Sequence, residues 1–142
     1  LRLANVYGPR QDPHGEAGAV AIFSRLMLRG EAVRIFGDGE QTRDFVFVGD
    51  VATAHETVLN HPESVTVNVG SGIGTSVNRV VEQLQRIVGS DIESHYEHAR
   101  SGDVKYVVLD VSRAKSVLGW EPSVALQDGL EATVESMRVD DD

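Results

Sequence analysis

Cysteine is absent from this sequence of 142 residues, which excludes a disulfide framework, a thiolate metal site and a thiol nucleophile. No apolar run approaches the length of a bilayer span, and the opening residues lack the pattern of a signal peptide. No membrane partner is therefore expected, and a cytoplasmic location is. Lysine is scarce: of thirteen basic residues only Lys105 and Lys115 are lysine, against 22 acidic ones, for a formal charge of −9. So acidic a chain has no basic face for nonspecific nucleic-acid binding, and no nucleic-acid partner is expected. Arginine in preference to lysine, with excess carboxylate and a closing Asp140-Asp141-Asp142, suits a salt-rich cytoplasm or a GC-rich genome.

What is present is ordinary for a globular protein, with 41% apolar and 25% charged residues. The length allows one domain with a real core and is too short for two. The first residues, "LRLANVYG", carry no methionine and no polar lead-in. They read as a strand already in progress, and the chain as a fragment whose upstream part is missing.

Strand and helix patterns alternate along the chain, which makes the class α/β. The strand "LRLANVYG" ends in a Gly8-Pro9 turn, and residues 11–18 form a polar loop. Apolar residues at helical spacing predict a helix over 19–29, stopped by Gly30. "AVRIFG" and "TRDFVFV" read as strands, the second with Phe45 and Phe47 on one side. Asp50 is placed to cap a helix from 51 to about 60. "SVTVNVG" is the next strand, followed by an amphipathic helix over 77–88 that stops at Gly89. Residues 92–96 are extended, "KYVVLD" is a strand, and helices follow over 112–118 and about 126–137.

Between one strand and the next helix lies "VNVGSGIGTSV", which invites comparison with a dinucleotide-binding loop. Such a loop runs Gly-x-Gly-x-x-Gly, and its third glycine lets helix and strand pack closely. Here the glycines are Gly70, Gly72 and Gly74, one residue short, and Thr75 stands at the third place. Thr75 and Ser76 suit helix capping, since a hydroxyl oxygen can accept from an unpaired helical N–H. The stretch reads as a glycine turn feeding a capped helix, not a cofactor loop.

Metal binding has little support. His95 and His98 would point to opposite faces of an extended segment, and His55 lacks the second histidine of an HExxH site. No serine occupies a nucleophile elbow.

Four segments in order, "LRLANVYGPRQ", "IFGDGEQTRDFVFVGDVATAH", "VNVGSGIGTSV" and "RSGDVKYVVLDVSRAKSVLGWEP", carry a resemblance over nearly the whole chain. Together they resemble the C-terminal half of an extended short-chain dehydrogenase/reductase, within the nucleotide-sugar epimerase/dehydratase group typified by UDP-glucose 4-epimerase. The resemblance implies the last strand of a Rossmann-type sheet plus a small substrate-binding lobe. Residues 1–142 would be the nucleotide-sugar-binding portion, with the NAD-binding Rossmann part missing. The family's Tyr-x-x-x-Lys pair is absent, since none of Tyr7, Tyr96 and Tyr106 has a lysine four residues on. In the family mechanism NAD takes a hydride from sugar C4 while the tyrosine takes the hydroxyl proton. This chain alone is therefore expected to be inactive, with no catalytic residue of its own, and the whole enzyme to be a homodimer.

The resemblance also assigns substrate-binding roles. Arg43 in "TRDF" and Arg100 in "RSGD" match the family's diphosphate-binding arginines, whose planar fork suits phosphate oxygens. The alternative for Arg43 is an ion pair with neighbouring Asp44. Asp103 matches the carboxylate that accepts from the ribose hydroxyls, with a turn aspartate as the alternative. Asn5 would reach the diphosphate or sugar, and Val33 to Phe36 would pack along the nucleobase. The helix start from Gly18 to Val20 would form the lip of the sugar pocket. The function implied is a grip on a nucleotide-diphosphate sugar, a UDP-sugar, within an NAD-dependent 4-epimerase. A 4,6-dehydratase or decarboxylase, or a noncatalytic nucleotide-binding module, are the alternatives.

Overall fold

The computed structural model describes residues 1–12 and 18–140. The loop expected over 11–18 falls mostly outside the described residues. The chain runs β1 (Arg2–Leu3), β2 (Asn5–Tyr7), α1 (Ala19–Leu28), β3 (Arg34–Phe36), β4 (Thr42–Phe47) and α2 (Val48–Leu59). It continues through β5 (Asn68–Val69), β6 (Gly74–Ser76), α3 (Val77–Val88), β7 (His95–Glu97), β8 (Tyr106–Val107), α4 (Ser112–Leu118) and α5 (Leu126–Asp140).

Strand β4 is the hub. Its last three residues pair in parallel with β2, from Asn5↔Phe45 to Tyr7↔Phe47. Its first three pair antiparallel with β6, and Thr42 and Arg43 also pair in parallel with β8. Two smaller parallel pairs complete the sheet elements, β1 with β5 and β3 with β7. The expected first strand is broken at Ala4, so β1 and β2 serve different partners.

Side-chain alternation on β4 divides the core in two. Phe45 joins Tyr7, Val20, Phe23, Ile35, Leu84 and Leu130 in one cluster, with half-buried Phe47 packed against it. Val46, one residue along, points into the second cluster with Val51, Val67, Val69, Ala114 and Trp120. In the first cluster the Tyr7 ring meets Phe45 and Phe47 edge-on, at 6.3 and 5.8 Å between centroids. Gly129 of α5 is the residue that permits this, because a Cβ there would collide with the Tyr7 hydroxyl.

Helix ends follow local chemistry. Ser76 caps α3 by accepting from Arg79 N at 3.2 Å, and Gly89 closes it in the left-handed conformation. Gly119 closes α4 in the same way. Asp50 differs from its expected role. Helix α2 starts earlier, at Val48, so Asp50 lies within its first turn and is not the cap. Its buried carboxylate instead accepts from Ser123 N at 3.1 Å, Ser123 Oγ at 2.7 Å and Val124 N at 3.1 Å. Its carbonyl accepts from the Trp120 indole N–H at 3.1 Å. Asp50 thus staples the segment before α5 onto α2.

Candidate functional site

Between β2, α1, β3 and β4 lies a cavity of about 490 Å³, within the size range of small-molecule sites. Asn5, Val20, Phe36, Arg43, Arg100 and Asp103 all line it. They come from segments far apart in sequence, brought together by the pairing of β2 and β8 with β4 and of β3 with β7. Val33 does not line it: this residue is packed in the first core cluster, one position before β3.

Strand alternation explains Arg43. It lies on the same face of β4 as Phe45, which also lines the cavity, whereas Asp44 faces the other way. An Arg43–Asp44 ion pair is thereby ruled out. Arg43 Nη2 instead donates to Asp103 Oδ1 at 2.5 Å, and Nη1 to the Thr42 carbonyl at 3.0 Å. Arg100 lays its guanidinium over the Phe36 ring, 3.8 Å from the centroid, a close cation–π contact. Arg34, also on the rim, is mostly exposed and reaches Glu97 at 3.8 Å.

Gln11 is a member of the wall that sequence reasoning did not single out. Its Nε2 donates to the Val6 carbonyl at 3.2 Å, while Oε1 is buried without a partner among the described residues. Arg10, at φ 66, is the one described non-glycine residue with positive φ, and it directs the chain into this position. Gly18 leaves the room, since a Cβ there would lie 3.0 Å from Gln11 Nε2. A buried acceptor left unpaired is costly, and this one borders the cavity. Only the geometry reveals it.

The chemistry on offer is binding. Three guanidinium groups, a carboxylate, amide groups and an aromatic face surround the space. Tyr7 also lines it, but its hydroxyl donates to the Leu126 carbonyl at 3.3 Å. Burial, reinforced by the charges of Asp50 and Asp128, pushes its phenol above the usual tyrosine range. Tyr7 is thus held neutral and is a poor proton acceptor. Among the described residues no group of three or more His, Cys, Asp or Glu side chains is placed to hold a metal ion.

The glycine turn is occupied from within. Asp44, 1% exposed, accepts from Ser71 N at 2.7 Å, Ser71 Oγ at 2.6 Å, Gly72 N at 3.1 Å and Leu109 N at 3.3 Å. Gly70 is required because a Cβ there would lie 2.5 Å from Asp44 Oδ2. The amides that a dinucleotide loop would turn towards a pyrophosphate are spent on this carboxylate. A second anion there would meet its charge, so the turn does not fit the phosphates of NAD.

Comparison with known proteins agrees with this architecture. The family model described as "NAD dependent epimerase/dehydratase family" matches residues 1–70. A UDP-glucose 4-epimerase of Mycolicibacterium smegmatis is 48% identical over 136 residues, covering 95% of this chain and 44% of that protein. The crystal structure of UDP-glucose 4-epimerase with UDP-glucose from Thermotoga maritima superposes with a TM-score of 0.96 at 51% identity, covering 99% of this chain and 46% of that one. The Thermus thermophilus UDP-glucose 4-epimerase complex with NAD gives a TM-score of 0.88 at 41% identity, covering 96% and 45%. The chain therefore spans a little under half the length of the relatives it matches.

Proposed function

The chain belongs to the NAD-dependent epimerase/dehydratase family, and from that premise we propose that residues 1–142 are the nucleotide-sugar-binding portion of an NAD-dependent UDP-sugar 4-epimerase. What carries the reading is one juxtaposition: Arg43, Arg100 and Asp103 gather beside Phe36 around a single cavity.

Each group has a task on a nucleoside diphosphate. The diphosphate brings about two negative charges, and in so acidic a protein they need local arginines; Arg43 and Arg100 supply the forks. Asp103 offers two acceptors to the ribose diol. Phe36 provides a face for the base. Asn5 and Gln11, whose Oε1 has no partner among the described residues, offer polar groups to the diphosphate or sugar, with Val20 on the apolar wall. The portion's contribution is positioning. The acid–base and redox groups belong to the rest of the protein, so these residues alone turn nothing over. NAD is assigned to that remainder, since the glycine turn here is filled by Asp44. A homodimeric assembly is carried over from the family resemblance.

The test is calorimetric binding of UDP to the protein containing this sequence. Arg43→Ala or Arg100→Ala should each weaken binding by about 1.5–3 kcal/mol, the range for hydrogen bonds to charged groups. Unchanged dissociation constants in both variants would remove the diphosphate assignment.

A further inference from the structure

Resting on the nucleoside-diphosphate reading above, we infer that the cavity selects a whole nucleoside diphosphate and rejects its anionic half alone, because Arg43 and Arg100, the two arginines assigned to the diphosphate, are each engaged by a partner that only the nucleoside half can relieve. Two contacts create this. Arg43 is held by Asp103 at 2.5 Å, with their side chains only 19% and 35% exposed. Arg100 is held on the Phe36 ring at 3.8 Å.

Both competing contacts come from one short turn. Asp103 N donates to the Arg100 carbonyl at 3.2 Å, with Gly102 between them at φ 83. The turn joins β7 to β8 and is tethered at its two ends. Gly37 N donates to the Glu97 carbonyl at 2.9 Å, and Thr42 N to the Lys105 carbonyl at 2.8 Å. Residues 100–105 are otherwise exposed, so Arg100 and Asp103 change partners on a common segment.

Inorganic pyrophosphate is a compact polyanion with neither a diol nor a base. To take the Nη2 donor of Arg43 it must displace Asp103, and the freed carboxylate then faces the incoming charge with no diol to accept from. To draw Arg100 away it must leave the Phe36 face uncovered. A nucleoside diphosphate exchanges both contacts for equivalents: its ribose diol donates to Asp103, and its base covers Phe36 as Arg100 turns to the diphosphate. Asp103 is therefore a specificity-determining residue twice over, attractive to the right ligand and repulsive to the wrong one.

The experiment measures UDP, uridine and pyrophosphate binding by calorimetry on the protein containing this sequence and on Asp103→Asn, Phe36→Leu and Asp38→Asn. Asp38 is a mostly exposed carboxylate 3.9 Å from Lys105 and outside the cavity lining, so its variant reports the effect of net charge alone. The unaltered protein should bind pyrophosphate at least about 100-fold more weakly than UDP, and Asp103→Asn should tighten pyrophosphate about tenfold while leaving UDP no tighter. Phe36→Leu should narrow the same ratio by freeing Arg100, and it stands as the test if Asp103→Asn does not fold. Asp38→Asn should move both ligands together. A UDP-to-pyrophosphate ratio unchanged in Asp103→Asn and Phe36→Leu, with UDP still bound, overturns this inference alone. Failure of UDP to bind the unaltered protein overturns the ligand reading itself.

Discussion

Replacing Asp44 by asparagine changes one oxygen to an amide nitrogen at the best-connected buried side chain of the fold. The carboxylate accepts four hydrogen bonds: Ser71 N and Oγ donate to Oδ1, and Gly72 N and Leu109 N donate to Oδ2. An amide satisfies only one of these pairs. If its oxygen stays with Ser71, its NH2 group confronts the two backbone N–H groups that donate to Oδ2. The lost bonds are to a charged group, worth about 1.5–3 kcal/mol each with incomplete additivity, so the loss should be about 3–4 kcal/mol. That is a large share of the roughly 5–15 kcal/mol that keeps a domain folded.

The assay is urea denaturation followed by fluorescence of Trp120, the only tryptophan and a buried one. With a slope of about 2 kcal/mol per molar, the midpoint should fall by about 1.5–2 M. Asp38→Asn, an exposed carboxylate, should move stability by no more than about 0.5 kcal/mol. If Asp44→Asn shifted the midpoint by less than about 0.5 M, the turn would not depend on this carboxylate and the argument for its occupation would fail.

Asp50→Asn should lower stability by about 2 kcal/mol through the same logic, since Ser123 N, Ser123 Oγ and Val124 N converge on that carboxylate; an unaltered urea midpoint would contradict the staple. Tyr7 has its pKa raised in the fold, so its neutral form contributes stability that is complete below the ordinary value of 10.0 and is lost as pH rises above it. Tyr7→Phe should therefore flatten the fall in stability above pH 10, and an unchanged alkaline slope would count against that burial. With a formal charge of −9, the fold should gain from screening, so the thermal midpoint should rise with molar KCl. A flat response would remove the salt-rich reading of the composition.

How legible the fold was depended on whether an element's ends are written locally. Helices α3 and α4 were readable to the residue, and Ser76, Gly89 and Gly119 set three of their four ends by capping chemistry that needs no distant partner. Strands were less legible. The run "SVTVNVG" forms a ladder only at Asn68–Val69, where β1 is available to pair. Gly74–Ser76 has no alternation to announce it and is extended because β4 offers an antiparallel edge. Asp50 followed the pattern of a cap, but the donors it satisfies lie more than 70 residues away, beyond any local reading. The wall of the cavity was largely visible as residue types, whereas the pairing of Arg43 with Asp103, 60 residues apart, was not.

One dipeptide shows why both the glycine turn and the arginine needed three dimensions. A turn rich in glycine with inward N–H groups is a receptor for an anion, and sequence alone does not say which anion. Arg43 and Asp44 are neighbours of opposite charge, so on paper they neutralise each other. On an extended strand neighbours face opposite ways. The carboxylate is therefore delivered to the turn, where it fills the receptor that resembles a cofactor loop. The guanidinium is delivered to the cavity, where Asp103 is its only described carboxylate partner. The feature that makes the turn unsuitable for a dinucleotide is the same one that turns Arg43 towards the cavity.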